Sequence, residues 1–358
     1  MNTRKPKILI IYTGGTIGMI ENPETHALQP FDFSHLMDNV PKVKKLDYEI
    51  DNFQFVPPID SSNMDPTHWR DIALAIEENY DRYDGFVVLH GTDTMAFTAS
   101  ALSFMLEHLC KPVIITGSQL PIGEVRTDGE ENLITALQVA AARDEKEGRP
   151  RVQEVAILFE NYLWRGNRAT KMSADNFNAF KSFNYPELAE IGLDIEYNKN
   201  SLRKMKPHPL NVSTEMDTNV MFLELNPGMT EQTLDYLLHT PGIKGIVLKT
   251  YGAGNSPSYP WFIEKIREAV ERGIVIVNVT QCVNGGVNCN LYETGNSLSA
   301  AGVISGYDIT SEAAITKLMF LFGRNYSLNM VKQLMVTDLC GEISSPTDIS
   351  ILQNFSDH

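Results

Sequence analysis

The apolar run Ile8-Leu9-Ile10-Ile11-Tyr12 stops abruptly at Thr13-Gly14-Gly15-Thr16, and Phe86-Val87-Val88-Leu89 stops in the same way at His90-Gly91-Thr92-Asp93. Runs this short that are apolar at every position suit strands buried on both faces, as in a parallel sheet covered by helices. Strands are therefore expected at 7–12, 53–56, 85–89, 112–116 and 154–159, with helical patterns in most of the intervals. Asp65-Pro66 opens one of these, pairing an N-cap residue with proline at the first helical position, and Trp69, Ile72, Ala73 and Ile76 supply its apolar face. This order of elements predicts βαβ units and a three-layer α/β sandwich.

A chain of 358 residues exceeds one ordinary domain. The stretch 198–216 is polar, contains Lys204, Lys206, Pro207 and Pro209, and has neither helical nor strand periodicity. It reads as a linker between an N-terminal domain at 1–197 and a smaller one at 217–358. In the latter, strands are expected at 220–225, 245–249 and 274–279, with helices near 230–239, 260–272 and 311–322. The fold class is thus two three-layer α/β domains with mostly parallel sheets.

Hydrophobic residues at 43% and charged residues at 21% leave no reason to expect extensive disorder. The formal net charge of −15 argues against nucleic acid and anionic membranes as partners, since phosphate binding requires concentrated Lys and Arg. The first apolar run is too short for a signal-peptide core, and no segment approaches the roughly 20 apolar residues that span a bilayer. A soluble, cytoplasmic protein is expected. Cys110, Cys282, Cys289 and Cys340 form no Cys-x-x-Cys pair and are expected to be reduced thiols. No His-Glu-x-x-His arrangement occurs, and no metal is expected.

In an open parallel sheet, ligands bind beyond the carboxyl ends of the strands, where glycines admit close approach of backbone amides. Thr16 is placed to face such a ligand, although a tight glycine turn with locally satisfied hydroxyls explains the segment equally well. Neither a dinucleotide fingerprint nor a Walker lysine follows the strand, so no cofactor is expected. At the second strand end, Thr92 and Asp93 offer a hydroxyl and a carboxylate side by side; both also suit a helix N-cap before the pattern at 96–109. In Arg165-Gly166-Asn167-Arg168-Ala169-Thr170-Lys171, the lysine has no apolar face to lie on. Burial and neighbouring positive charge, which Arg165 and Arg168 would supply, lower a lysine pKa toward that of a general base. Asp60-Ser61-Ser62 and Gly252-Ala253-Gly254-Asn255-Ser256 are lesser candidates that read individually as turns.

In this order and at these separations, the segments resemble the asparaginase family, specifically its cytoplasmic bacterial branch, over nearly the whole chain. Thr13-Gly14-Gly15-Thr16-Ile17 and His90-Gly91-Thr92-Asp93-Thr94-Met95 match its two signatures. Gly117-Ser118-Gln119, Arg165-Gly166-Asn167-Arg168 and Tyr251-Gly252-Ala253-Gly254-Asn255 add agreement. The resemblance implies an amidohydrolase that converts L-asparagine to L-aspartate and ammonia by a two-step displacement. It implies Thr16 as nucleophile of an acyl-enzyme, Thr92 and Lys171 as the groups that manage protons, and Asp93 as the carboxylate that holds the substrate ammonium. Ser61 matches the residue that binds the substrate carboxylate, within a substrate-binding set of Gly15, Asp60, Ser61, Ser62, Thr92, Asp93 and Asn255. A homotetramer built as a dimer of dimers is also implied, with Asn255 serving a neighbouring subunit, as is a loop at 18–30 that closes over the substrate.

Two features depart from the family pattern. The tyrosine common on the loop after the first threonine motif is absent from 25–30, which leaves Tyr12 as a substitute partner for Thr16. The arginine of a regulatory asparagine site is replaced by Lys249, which lacks the bidentate fork, so such a site is left open rather than implied. Two other readings compete: the amidase subunit of a tRNA-dependent amidotransferase, which shares the threonine motifs, and an asparagine sensor that binds without cleaving.

Overall fold

In a computed structural model, residues 4–21, 28–30, 40–122, 124–288 and 293–344 are described; Cys289 and residues 22–27 of the expected closing loop lie outside them. The chain divides into two units, Met1–Thr214 and Glu215–His358.

In the first unit, Lys7–Tyr12 (β1) lies between Glu49–Gln54 (β2) and Gly85–Leu89 (β3), parallel to both. Val113–Thr116 (β4) and Val155–Phe159 (β5) continue the parallel sheet. Tyr162–Arg165 (β6), Ala189–Ile191 (β7) and Ile195–Tyr197 (β8) extend it antiparallel, in the order β8-β7-β6-β5-β4-β3-β1-β2. The change of direction follows from chain geometry. Phe159 pairs with Tyr162, and Glu160 between them adopts φ 52°, so the strand returns through a tight turn where a parallel partner would need a crossover. The sheet is mostly parallel on the side that carries the candidate residues.

The helix expected after Asp65 spans Pro66–Asn79 (α1), with the Asp65 carboxylate accepting from the amides of Thr67 and His68 and with Trp69, Ile72, Ala73 and Ile76 buried. Met95–Met105 (α2) is buried almost all round. Gly129–Ala141 (α3) packs Leu133, Ala136, Leu137 and Ala140 against Ile8, Ile10, Val87, Leu89 and Ile114 on one face of the sheet. Alternate residues such as Ile11, Val88 and Ile115 are equally buried on the other face.

Two expectations are corrected. The strand expected at 53–56 runs Glu49–Gln54 and is an edge strand with mostly exposed side chains. Phe53 is 44% and Val56 87% exposed, so apolar character there did not signal burial. The helix expected at 96–109 ends at Met105, because Leu106–Glu107 pairs with Asn211–Val212 and His108 adopts φ 63°. The polar stretch after 198 is partly held on the first unit: the Glu154 carboxylate accepts from the Arg203 amide at 2.9 Å, and the Gln153 side chain accepts from the Met205 amide at 2.8 Å.

The second unit has a wholly parallel sheet of Val220–Glu224 (β9), Gly245–Thr250 (β10), Val275–Thr280 (β11) and Ile304–Ser305 (β12) in chain order. Glu231–Leu238 (α4) and Pro260–Glu271 (α5) contribute Leu234, Leu238, Phe262 and Ile266 to its core, together with Leu298 of Glu293–Ala300 (α6). Ser311–Gly323 (α7) and Leu328–Met335 (α8) follow. Lys317 of α7 forms a fully buried ion pair with Glu342 at 2.5 Å and donates to the carbonyl of Thr337 at 2.7 Å.

Candidate functional site

The parallel registers bring the ends of β1, β2 and β3 level. Thr13 donates through its amide to the Leu89 carbonyl at 3.0 Å, Phe55 donates to Tyr12 at 3.0 Å, and Ile59 donates to Thr13 at 2.7 Å. Three loops therefore meet beyond one sheet edge. Glycine is required for this contact: a Cβ on Gly15, which has φ 91°, would lie 2.5 Å from the Gly91 nitrogen, and a Cβ on Gly91 would lie 2.4 Å from Ser61 Oγ. Both distances are below any tolerable van der Waals contact, so no other residue permits this approach.

Thr16 opens a single turn of 3₁₀ helix, Thr16–Gly18, preceded by Gly15. It is half-buried, and its hydroxyl has no hydrogen-bond partner among the described residues. Thr13, by contrast, is buried and donates its hydroxyl to the Leu89 carbonyl at 2.9 Å. The locally satisfied turn thus describes Thr13 and not Thr16. Tyr12 does not suit the role of a base for Thr16: its ring lies beneath Gly18, its hydroxyl donates to the Gly18 carbonyl at 3.0 Å, and burial pushes its pKa up to about 12.

At the end of β3, neither Thr92 nor Asp93 caps a helix. Thr94 occupies the N-cap position of α2, and its hydroxyl donates to the Ser61 carbonyl at 2.7 Å. Thr92 and Asp93 instead receive Lys171, which enters on a short antiparallel pairing of Thr170–Lys171 with Phe180–Lys181. Lys171 Nζ donates to Thr92 Oγ1 at 2.9 Å and to Asp93 Oδ1 at 2.7 Å. The Thr92 hydroxyl proton faces Gln119 Oε1 at 3.5 Å, a separation at which the bond is weak. Gln119 is itself anchored by its amide to the Asp128 carboxylate at 3.0 Å, and through Nε2 to the Asn176 carbonyl at 2.9 Å.

The positive charge expected beside Lys171 is engaged elsewhere. Arg165 Nε pairs with Glu154 at 2.6 Å, both side chains being buried, and Arg165 NH2 donates to the Ser201 carbonyl. The Arg168 guanidinium lies 5.3 Å from the centre of the Tyr185 ring. The immediate charged neighbour of Lys171 is a carboxylate.

Of the Asp60-Ser61-Ser62 segment, Ser61 is buried against Gly91. Asp60 and Ser62 are turned on each other: the Asp60 carboxylate accepts from the amide and the hydroxyl of Ser62, both at 2.9 Å, and these bonds hold the Asp60 pKa below the usual carboxylate range. Asn255 belongs to the second unit, where its backbone pairs with Tyr251. Lys249, also there, pairs with Glu224 at 2.8 Å.

His90 joins the site although no local sequence pattern marks its partners. It is fully buried between β3 and α2, with Nε2 2.8 Å from Thr98 Oγ1 and Nδ1 2.6 Å from the Gly91 carbonyl. Burial pushes its pKa down to about 4. A histidine at a strand end, flanked by glycine, was the available signal; its partners are set by packing and not by local spacing.

Among the described residues no helix is long and apolar enough to cross a membrane. Residues 7–203 match the family model described as Asparaginase, N-terminal, and residues 219–335 match the Glutaminase/Asparaginase C-terminal domain. The chain is 41% identical to L-asparaginase 1 of Escherichia coli K12 over 95% of its own length and 99% of that protein. It is 34% identical to one of the proteins of the glutamyl-tRNA(Gln) amidotransferase of Pyrococcus abyssi, over 96% of its own length and 78% of that protein. The solved structure of L-asparaginase I from Vibrio cholerae superposes with a TM-score of 0.87 at 40% identity, covering 95% of this chain and 100% of that one.

Proposed function

Because the chain belongs to the asparaginase family, we propose that it hydrolyses L-asparagine to L-aspartate and ammonia through an acyl-enzyme on Thr16. The observation that carries this reading is the meeting of Lys171 Nζ with Thr92 Oγ1 at 2.9 Å and with Asp93 Oδ1 at 2.7 Å, beside a loop in which the Thr16 hydroxyl has no partner among the described residues. A threonine hydroxyl is a poor nucleophile near neutral pH and needs both a route for its proton and a field that stabilises the charge it creates.

In the first step, the Thr16 oxygen adds to the side-chain amide carbon and the C=O electrons move to oxygen. Backbone amides at Thr16 and Thr92 are the donors to this oxyanion, an interaction whose removal typically costs about 3 kcal/mol of barrier. Collapse expels ammonia, which takes the proton delivered from the attacking hydroxyl by way of Thr92 and Lys171. Water then adds to the ester, giving up its proton by the same route, and Thr16 leaves with aspartate as product. Asp93, with 66% of its side chain exposed, presents a carboxylate oxygen to the substrate ammonium, and Ser61 is the donor to its α-carboxylate.

We place this chemistry in the cytoplasm and in a homotetramer. Cys110, Cys282 and Cys340 are free thiols, in keeping with a reducing compartment. Purified protein incubated with asparagine and assayed for ammonia tests the reaction. Multiple turnovers without a partner or tRNA support hydrolysis. Release that requires a second protein would favour the amidotransferase reading, and stoichiometric binding without release would favour a sensor.

A further inference from the structure

Three buried side chains form a hydrogen-bonded chain that ends on a peptide of the candidate site. Trp69 Nε1 donates to Thr98 Oγ1 at 3.0 Å, Thr98 Oγ1 lies 2.8 Å from His90 Nε2, and His90 Nδ1 lies 2.6 Å from the Gly91 carbonyl oxygen. Only one assignment of protons satisfies every member. The carbonyl can only accept, so Nδ1 carries the proton; an indole nitrogen can only donate, so the Thr98 oxygen accepts from Trp69 and turns its own proton to Nε2. The imidazole is therefore held neutral as the Nδ1–H tautomer, in agreement with its burial.

The consequence lies on the far side of the peptide plane. In a trans peptide the C=O and N–H point in opposite directions. With the Gly91 carbonyl turned inward to His90, the Thr92 amide N–H is turned outward, away from the core. It has no acceptor among the described residues, and it leaves the backbone where Gly15 and Ser61 crowd Gly91. A glycine on one side of this peptide gives it little intrinsic resistance to rotation. The side chain of His90 supplies the missing constraint.

We propose that His90 is a positioning residue, clamping the Gly91 carbonyl so that the Thr92 amide N–H is aimed at the oxygen that becomes negatively charged when the substrate amide is attacked. The role rests on the hydrolytic reading given above. Preorganised backbone donors of this kind contribute about 10²–10³-fold to turnover, and they act on the transition state more than on bound substrate.

The test compares three substitutions in the full-length protein, after wild type has been shown to release ammonia from asparagine; a wild type without activity would overturn the hydrolytic reading itself. His90→Asn places an amide donor near the position of Nδ1, His90→Gln places one near Nε2, and His90→Leu removes both. With aspartate binding and circular dichroism confirming the fold, His90→Leu and His90→Gln are expected to lower kcat by about 10²-fold with KM within about threefold. His90→Asn is expected to recover at least about tenfold of that loss. Should the leucine variant fail to fold, the Asn and Gln pair decides alone. Equal kcat in the Asn and Gln variants, or a defect expressed in KM, would overturn the proposal.

Discussion

Lys171 and Asp93 stand 78 residues apart in the chain, yet the ammonium of one lies 2.7 Å from the carboxylate of the other. The pair is unequal in its surroundings: 19% of the lysine side chain is exposed against 66% of the aspartate. The lysine is sheltered beside Thr92, whereas the carboxylate reaches solvent and is open to a cationic ligand group. A substrate ammonium would compete with Lys171 for Asp93 and leave the lysine to Thr92.

Lys171→Met removes the amino group from the proton route while preserving most of the stem. Turnover is expected to fall by about 10²–10⁴-fold, the range of general acid–base contributions, with KM changed much less. Lys171→Arg should not restore it, because a guanidinium does not give up its proton in a protein. Steady-state kinetics on both variants provide the check, and a fully active arginine variant would remove Lys171 from the proton route.

Asp93→Ala should act on binding. Loss of the partner for a substrate ammonium is expected to raise the dissociation constant by at least about 30-fold, corresponding to roughly 2 kcal/mol. Titration calorimetry with aspartate measures this directly, and unchanged affinity would reassign the ammonium site.

The strand ends that hold these groups were legible because runs such as Ile8–Ile11 and Phe86–Leu89 are short, apolar at every position and closed by glycine, as suits a doubly covered sheet. Three features were not legible, each for a nonlocal reason. The antiparallel strands beyond β5 depend on the turn at Glu160; the exposed edge strand Glu49–Gln54 has the composition of a loop; and Arg165 is neutralised by Glu154, which no spacing rule pairs with it. The role of His90 is not local either, because Trp69 and Thr98 become its network only once α1 and α2 pack together.

Acid should destabilise the fold through His90. Its pKa falls from 6.5 to about 4 on folding, so between these values the unfolded chain binds more protons and stability rises with pH. The contribution is intact above pH 6.5 and is lost as pH falls toward 4, amounting to about 2–3 kcal/mol by pH 4.5. Urea unfolding of wild type and His90→Asn at pH 7 and pH 4.5 isolates it: the wild type should lose about that much more than the variant. Equal losses would show that His90 ionises freely in the folded protein.

The buried pair of Lys317 and Glu342 concerns stability alone. Lys317→Met leaves the Glu342 carboxylate buried without its cation, and unfolding free energy should drop by about 3–5 kcal/mol. Replacing both together by apolar residues should cost less than the single change. Denaturant titrations of the two variants settle the order, and a single substitution that is nearly neutral would show that water reaches Glu342.

The most direct test of the site is Thr16→Ala, measured for asparagine binding and ammonia release on the same preparation. Binding within about threefold of wild type, with turnover lowered by at least about 10⁴-fold, is expected when the attacking oxygen alone has been removed. Turnover within about tenfold of wild type would contradict the assignment of Thr16 as the nucleophile.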